Sequence, residues 1–236
     1  MDLDPKGVEH EISFWRDFVQ TERFQGWVRN ERTPELNQTV ADFLLHKCSM
    51  PDGGDFGPSP IYVLDVGSGP VSILRGLHPR LEIDTADPLS SLYQEAFDYV
   101  GNFVNPPYPF GAEELDQLGC LYDVVHISNA LDHTSDPSLA LSQLAGRLAS
   151  RGILIVQGFV DEARHENWAG FHQHNLGLTP VGRKLYIDSR NPRGMHHNGP
   201  RDEVAAGDLG CVVLHSETQK LWSNKDWFIW ILQKIK

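Results

Sequence analysis

A chain of 236 residues in which 40% are apolar has material for one doubly wound domain with a modest cap, and a second full domain would be cramped. Its net charge of −12 argues against a general nucleic-acid surface, which needs Lys and Arg clustered on one face, and favours neutral or cationic small partners. Met1 to Lys6 has no apolar signal-peptide core, no run approaches a membrane span, and Cys48, Cys120 and Cys211 are odd in number and widely spaced; the expectation is a soluble, cytoplasmic protein with reduced thiols.

From Val8 to about Gln25, the residues Ile12, Phe14, Trp15, Phe18 and Val19 follow a helical pattern with a thick aromatic face. A second helix is expected from Thr33-Pro34-Glu35-Leu36, with Pro34 just inside its start, through Val40, Phe43, Leu44 and Leu45. Pro51 to Pro58 reads as a loop. Both helices precede the first strand. Residues 1–57 are therefore expected to form a lid on a domain comprising 58–236, and simple packing of Trp15 and Phe18 on a sheet is the alternative.

Ile61 to Val66 reads as a buried parallel strand emptying into the turn Gly67-Ser68-Gly69, where glycines let the backbone approach a ligand. Asp65 is costly to bury in such a strand unless a cation or a network of donors pairs with it. A short helix is expected over Val71 to Leu77, then a second strand, Leu81 to Asp87, with Asp87 at its carboxyl end. Leu92 to Tyr99 reads as a helix, and Asn105 to Pro109 as an irregular approach to a weak third strand. Tyr122 to Ser128 is apolar and β-branched, the fourth strand; Asn129 to Pro137 is its exit, with Asp136 capping a helix over Ser138 to Leu148 that begins at Pro137. Arg151-Gly152 turns into a fifth strand, Ile153 to Phe159. An insertion at about 160–200 follows, carrying His165, His172, His174, His196 and His197 with Glu166, Trp168 and Phe171, and a short strand over Gly182 to Asp188. Gly210 to Ser216 and Trp227 to Ile235 complete an antiparallel edge.

Val63-Leu64-Asp65-Val66-Gly67-Ser68-Gly69-Pro70 resembles motif I of the class I S-adenosylmethionine-dependent methyltransferases, and the exit after the fourth strand resembles their motif IV. The dinucleotide turn Gly-x-Gly-x-x-Gly is not matched, since Ser72 stands at the third glycine. The resemblance covers about Ile61 to Phe159. It implies an α/β fold, a doubly wound, seven-stranded Rossmann-like sheet that is mostly parallel with an antiparallel edge, and S-adenosyl-L-methionine as cofactor. It implies further that Asp65, Gly67, Ser68 and Gly69 hold the methionine part, Asp87 the ribose hydroxyls, Pro88, Leu89, Ala112 and Glu113 the adenine region, and Asn129 the methyl side. Where many family members carry an acid for the adenine amino group this chain has Gly111, which leaves Glu113 or a backbone group to serve. The reaction implied is methyl transfer by direct displacement to an oxygen or nitrogen of a small metabolite or glycan-like acceptor. Asn105-Pro106-Pro107-Tyr108 matches the catalytic tetrapeptide of amino-methyltransferases acting on DNA adenine and protein glutamine, but it lies before the fourth strand instead of after it and carries little weight.

An acceptor hydroxyl or protonated amine needs a base, and His133, just past the fourth strand, is the first candidate, with a loop-holding role as its alternative. His172 and His174, alternating as strand neighbours would, are the second; they are placed to share the base role, to bind substrate, or to ligate a metal with Glu166 or His196-His197. No metal is assigned, because His-x-His arises readily in a chain with eleven histidines. Trp15, Trp27, Trp168 and Phe171 suit either a cage for a planar or cationic substrate or plain packing. Two other functions compete. A nicotinamide-dependent oxidoreductase is disfavoured by the missing glycine and by the lack of a Tyr-x-x-x-Lys set; a catalytically inactive cofactor-binding subunit would be marked by loss of motif I or Asp87, and both are present.

Overall fold

A computed structural model describes residues 5–29, 36–49, 59–102, 104–189, 201–221 and 225–235. Three helices come first: α1 (Pro5–Phe18), α2 (Glu22–Val28) and α3 (Gln38–Cys48). Alternating strands and helices follow as β1 (Ile61–Val66), β2 (Leu81–Ala86), α4 (Ser90–Ala96), β3 (Tyr122–Ser128), α5 (Pro137–Gly146) and β4 (Leu148–Phe159). A short helix α6 (Glu162–His165) leads into β5 (His174–Leu178), β6 (Lys184–Ser189) and β7 (Asp202–Ala205), and β8 (Cys211–Lys220) and β9 (Asp226–Lys234) close the chain.

The main sheet has the order β2-β1-β3-β4-β9-β8. Strands β1 to β4 run parallel, and β9 lies antiparallel to both β4 and β8. Chain direction across the sheet reverses between β1 and β3, which opens a crevice at their carboxyl ends. Among the described residues this sheet has six strands, where seven were expected. The expected third strand contributes a single bridge, Tyr108 beside Ala86, because Pro106, Pro107 and Pro109 have no amide hydrogen for a ladder. The expected helix over Val71 to Leu77 is a run of turns, with Gly76 at φ +73° inside it. The insertion folds as its own three-stranded antiparallel sheet, β5-β6-β7; His196 and His197 lie outside the described residues, as does the loop from Pro51 to Pro58.

Period-two alternation gives the sheet two buried faces. On one, Leu64, Val66, Val125, Ile127, Leu154 and Val156 pack with Ala140, Leu141 and Leu144 of α5. Asp136 accepts the amides of Ser138 and Leu139 at 3.0 Å each, and Pro137 fills the first helical position, so this helix starts where the sequence placed it. On the other face, Val63, Val124, Ile153 and Ile155 pack with Val40, Ala41 and Leu44 of α3. The expected lid therefore divides. α3 packs as a layer on the sheet, with Gln38 at its start lining the crevice, and α1 and α2 sit over the crevice, where Val19, Phe24, Trp27 and Val28 pack with Val71, Leu89, Tyr93 and Phe97. The continuous helix expected from Val8 to Gln25 breaks after Phe18, and Thr21 starts α2 by accepting the Phe24 amide at 3.2 Å.

Candidate active site

A cavity of about 1070 Å³ occupies the crevice at the carboxyl ends of β1, β2 and β3. Its floor is Asp65 to Gly69, its sides include Asp87 to Leu89, Gly111 to Glu113 and Ile127 to Ala130, and α1 roofs it with Glu11, Phe14, Trp15 and Phe18. Gly67 and Gly69 have φ +64° and +62°, conformations that L side chains rarely adopt. Space adds a second reason for glycine. A Cβ on Gly67 would stand 2.3 Å from the Ala130 Cβ, and one on Gly69 would stand 2.3 Å from Cζ2 of Trp15. Trp15 therefore lies directly on the turn, its indole N–H donating to Glu11 at 2.9 Å.

Asp87 is buried beside this turn. Its Oδ2 accepts the Gly69 amide at 3.0 Å and its Oδ1 the Leu89 amide at 2.9 Å, and the Tyr93 hydroxyl also bonds it. Burial pushes its carboxyl up to about 6 in spite of these donors, and Glu11 adds to the rise. A carboxylate offers about four acceptor sites, so capacity for further donors remains. Glu113 is similarly placed: Oε1 accepts the amides of Ser135 and Asp136 at 2.6 and 3.2 Å, whereas Oε2 is buried with no partner among the described residues. Asn129 leaves β3 at φ +51° and reaches across to the Phe159 amide at 3.3 Å. Pro88, Leu89, Ala112 and Ser68 complete the wall without strong polar features; all the cofactor candidates except Pro88 are thus fixed by backbone geometry or hydrogen bonding, or are buried.

Beneath the floor runs a polar chain that sequence reasoning anticipated only at one end. The Trp227 indole, a donor only, bonds Oε1 of Gln157 at 3.2 Å, which turns the Gln157 amide nitrogen toward Nε2 of His126 at 2.9 Å. Nε2 of His126 must then accept, so the ring hydrogen lies on Nδ1 and is donated to Oδ1 of Asp65 at 2.6 Å. Ser72 Oγ donates to the other carboxylate oxygen at 2.5 Å. Asp65 thus faces a network of donors, and Ser72, noted in the sequence only as a missing glycine, is one of them.

At the far end of β3, a turn at Leu131–His133 meets the insertion. Nδ1 of His172 lies 2.6 Å from Oδ2 of Asp132 and 3.2 Å from Nε2 of His133. Burial pushes the Asp132 carboxyl up, but His133 and His172 outweigh it and hold it below the usual range; burial works against a charged His172, but Asp132 outweighs it and raises the imidazole. His133 and His172 line the cavity. His174 does not. It sits at the start of β5 with Nε2 donating to the Thr134 carbonyl at 2.8 Å and Nδ1 at 2.6 Å from Ser189 Oγ, and burial lowers its imidazole. The two histidines do not face one side together as strand neighbours, because His172 belongs to the loop before β5. Together with the Gln173 amide on the Asp132 carbonyl at 3.0 Å, His174 pins the insertion to the turn. Replacing His174 by Ala strands one buried and one half-buried polar partner and is expected to lower the unfolding free energy by about 1–3 kcal/mol, read as a shift of the urea midpoint with an unchanged slope.

Asp132 and Glu162 carried no sequence signal beyond their neighbours. Glu162 lines the same cavity; Oε1 is held by Lys225 at 3.2 Å, and Oε2 is buried with no partner among the described residues. Glu166, a sequence candidate for metal ligation, is instead engaged by Lys225 at 2.7 Å. Trp168 is not part of the cavity lining, whereas Trp15, Trp27 and Phe171 are.

No protein-family model matches the chain. A tRNA U34 carboxymethyltransferase of Wolinella succinogenes is 35% identical over 100 residues, which is 41% of this chain and 32% of that protein, so the chain spans about a third of the length of the curated relative it matches. Among solved structures, the N-methyltransferase NodS of Bradyrhizobium japonicum in complex with S-adenosylhomocysteine is 12% identical and superposes with a TM-score of 0.55 over 97% of each chain. An S-adenosylmethionine-dependent methyltransferase of Clostridium acetobutylicum is 11% identical, with a TM-score of 0.50 over 83% of this chain and 91% of the other. The fold is that of the class I methyltransferases, as the motif resemblance implied.

Proposed function

We propose that this chain binds S-adenosylmethionine in the crevice over Gly67-Ser68-Gly69 and transfers its methyl group to an oxygen or nitrogen of a small acceptor. The observation that carries the reading is the cavity itself, which sits at the reversal point of the sheet with a glycine turn closed to any Cβ and a buried acid beside it. The cofactor supplies an electrophilic methyl on a sulfonium. The turn and the Asp65 network receive the methionine part, Asp87 takes the ribose hydroxyls, Glu113 Oε2 with Leu89 and Ala112 takes the adenine region, and Asn129 lies on the methyl side. His133 and His172 face the acceptor there, with Asp132 orienting His172.

The cavity is roomy and largely acidic: Glu11, Asp65, Asp87, Glu113 and Glu162 line it against Arg23. That balance supports a neutral or cationic acceptor, and the aromatic roof supports one with a flat or apolar part. Among the described residues no helix is long and apolar enough to cross a membrane. The resemblance to a tRNA-modifying enzyme covers 41% of this chain, and the net charge of −12 favours a small acceptor over an RNA.

Isothermal titration with S-adenosylhomocysteine tests the reading. One molecule per chain is expected, with a change in Trp15 emission that is lost in Trp15→Phe, and no binding in Gly67→Val, whose side chain meets Ala130. Absence of binding by the folded native chain, or binding of NAD in its place, overturns the assignment.

A further inference from the structure

Three electron-pair donors converge at the acceptor end of the cavity. Oδ2 of Asp132, Nδ1 of His172 and Nε2 of His133 form a triangle with sides of 2.6, 3.2 and 3.8 Å. The point equidistant from all three lies about 1.9 Å from each, and a small step out of their plane brings it to the roughly 2.0–2.2 Å of zinc bonds to imidazole and carboxylate. Hydrogen bonding satisfies this arrangement poorly. A single hydrogen on Nδ1 of His172 serves Asp132 at 2.6 Å, and Nε2 of His133 is left facing the same hydrogen from 3.2 Å, too far from Asp132, at 3.8 Å, for a bond of its own.

An independent observation points the same way. Glu162, 5% exposed, lines the same cavity as His133 and His172, and its Oε2 has no partner among the described residues. Lys225 pairs with Oε1 of this carboxylate at 3.2 Å, and the buried Oε2 still lacks a donor among these residues, which leaves it free to face an ion or its water. The side chains of Asp132, His172 and His133 are 6%, 15% and 21% exposed, so an ion reaches them from the cavity and one side of it stays open.

We infer that Asp132, His133 and His172 form a site for one divalent transition-metal ion of the zinc type, with Glu162 as an outer carboxylate and the open position turned toward the acceptor. Two imidazoles select against magnesium and calcium, which prefer all-oxygen shells. Three protein ligands and a vacant position is the pattern of zinc sites that hold a substrate oxygen, so the acceptor class narrows to molecules presenting a hydroxyl or carboxylate beside the methyl. This narrowing rests on the methyltransferase reading, whereas the ion site itself does not.

The test uses the full chain, stripped with a chelator and titrated with Zn²⁺ alone by calorimetry and with Co²⁺ alone by visible spectroscopy. One ion per chain is expected, with the visible bands of a nitrogen- and oxygen-ligated Co²⁺. His172→Gln and His133→Gln should each weaken Zn²⁺ by a hundredfold or more, Glu162→Gln by about tenfold, and the distant His215→Gln should leave it unchanged. Far-ultraviolet dichroism checks that each variant is folded, and His133, the most exposed of the three, keeps the test open if His172→Gln does not fold. Absence of stoichiometric binding, or wild-type affinity retained in both His172→Gln and His133→Gln, overturns the site. S-adenosylhomocysteine is titrated separately into the metal-free protein: binding there without zinc uptake sinks the ion site alone, and zinc uptake without it sinks the cofactor reading alone.

Discussion

Affinity for S-adenosylhomocysteine should fall as the pH drops below about 6, approaching tenfold per pH unit, and this dependence should vanish in Asp87→Ala together with most of the binding. The reason lies in one buried carboxylate whose oxygens accept the Gly69 and Leu89 amides and which burial pushes up to about 6. Only the ionised form offers acceptors alone to two ribose hydroxyls. Stability should show the opposite slope. With a folded value of about 6 against an ordinary 3.8, Asp87 holds its proton longer in the folded state. Between those values the folded protein binds more protons than the unfolded one, so the contribution of Asp87 to stability declines as pH rises from about 4 to about 6. At neutral pH, keeping this carboxylate ionised costs the fold about 3 kcal/mol, since each tenfold change in proton affinity is worth roughly 1.4 kcal/mol. Denaturant unfolding of the wild type and Asp87→Ala across this window checks it: the wild-type advantage should shrink with rising pH, while titration calorimetry shows ligand affinity growing. Parallel slopes would mean that Asp87 is not the group that ligand and folding share.

Elements whose pattern and punctuation agree were legible in the sequence. β1 and β3 are apolar and end in turns that leave little choice, and Asp136-Pro137 sets the start of α5. The glycine turn and Asp87 could be named as a pair because both requirements, positive φ and a strand-end acid, are local. Other features depend on a tertiary layer. α3 has the same amphipathic spacing as a lid helix, and only the packed structure shows that it covers Val63, Val124 and Ile155. The seventh strand failed on its prolines, which weaken pairing without announcing what replaces it. At the turn after β3 the difficulty was distance along the chain. Asp132 and His172 stand forty residues apart and meet because β5 docks on the turn after β3. Nothing at either position alone distinguishes a ligand or a dyad from a surface histidine, and the same holds for Glu162, whose missing partner is visible only in three dimensions.

His126→Leu is expected to lower the unfolding free energy by about 3–5 kcal/mol, the largest effect of any single replacement beneath the site. His126 is fully buried, and Asp65, 2% exposed, loses with it the donor on Oδ1. Ser72 then remains on the other oxygen, and a carboxylate is left in an apolar sheet with half of its partners. Gln157→Leu should be milder, about 1–3 kcal/mol, because it deprives only neutral groups, Nε2 of His126 and the Trp227 indole. Replacement by a bulkier or smaller apolar side chain also disturbs packing, so the size of the loss alone would not identify its cause. A double-mutant cycle does. If the stranded carboxylate is the source, His126→Leu introduced into an Asp65→Asn background should lose only about 1–2 kcal/mol, since the amide carries no charge to strand. An undiminished loss in that background would assign the effect to packing. The distinction matters for activity, because Asp65 immediately precedes the Gly67 turn through Val66. A network that holds the acid also holds the backbone on which the cofactor is proposed to rest, and residual His126→Leu protein should bind S-adenosylhomocysteine more weakly than its folded fraction accounts for.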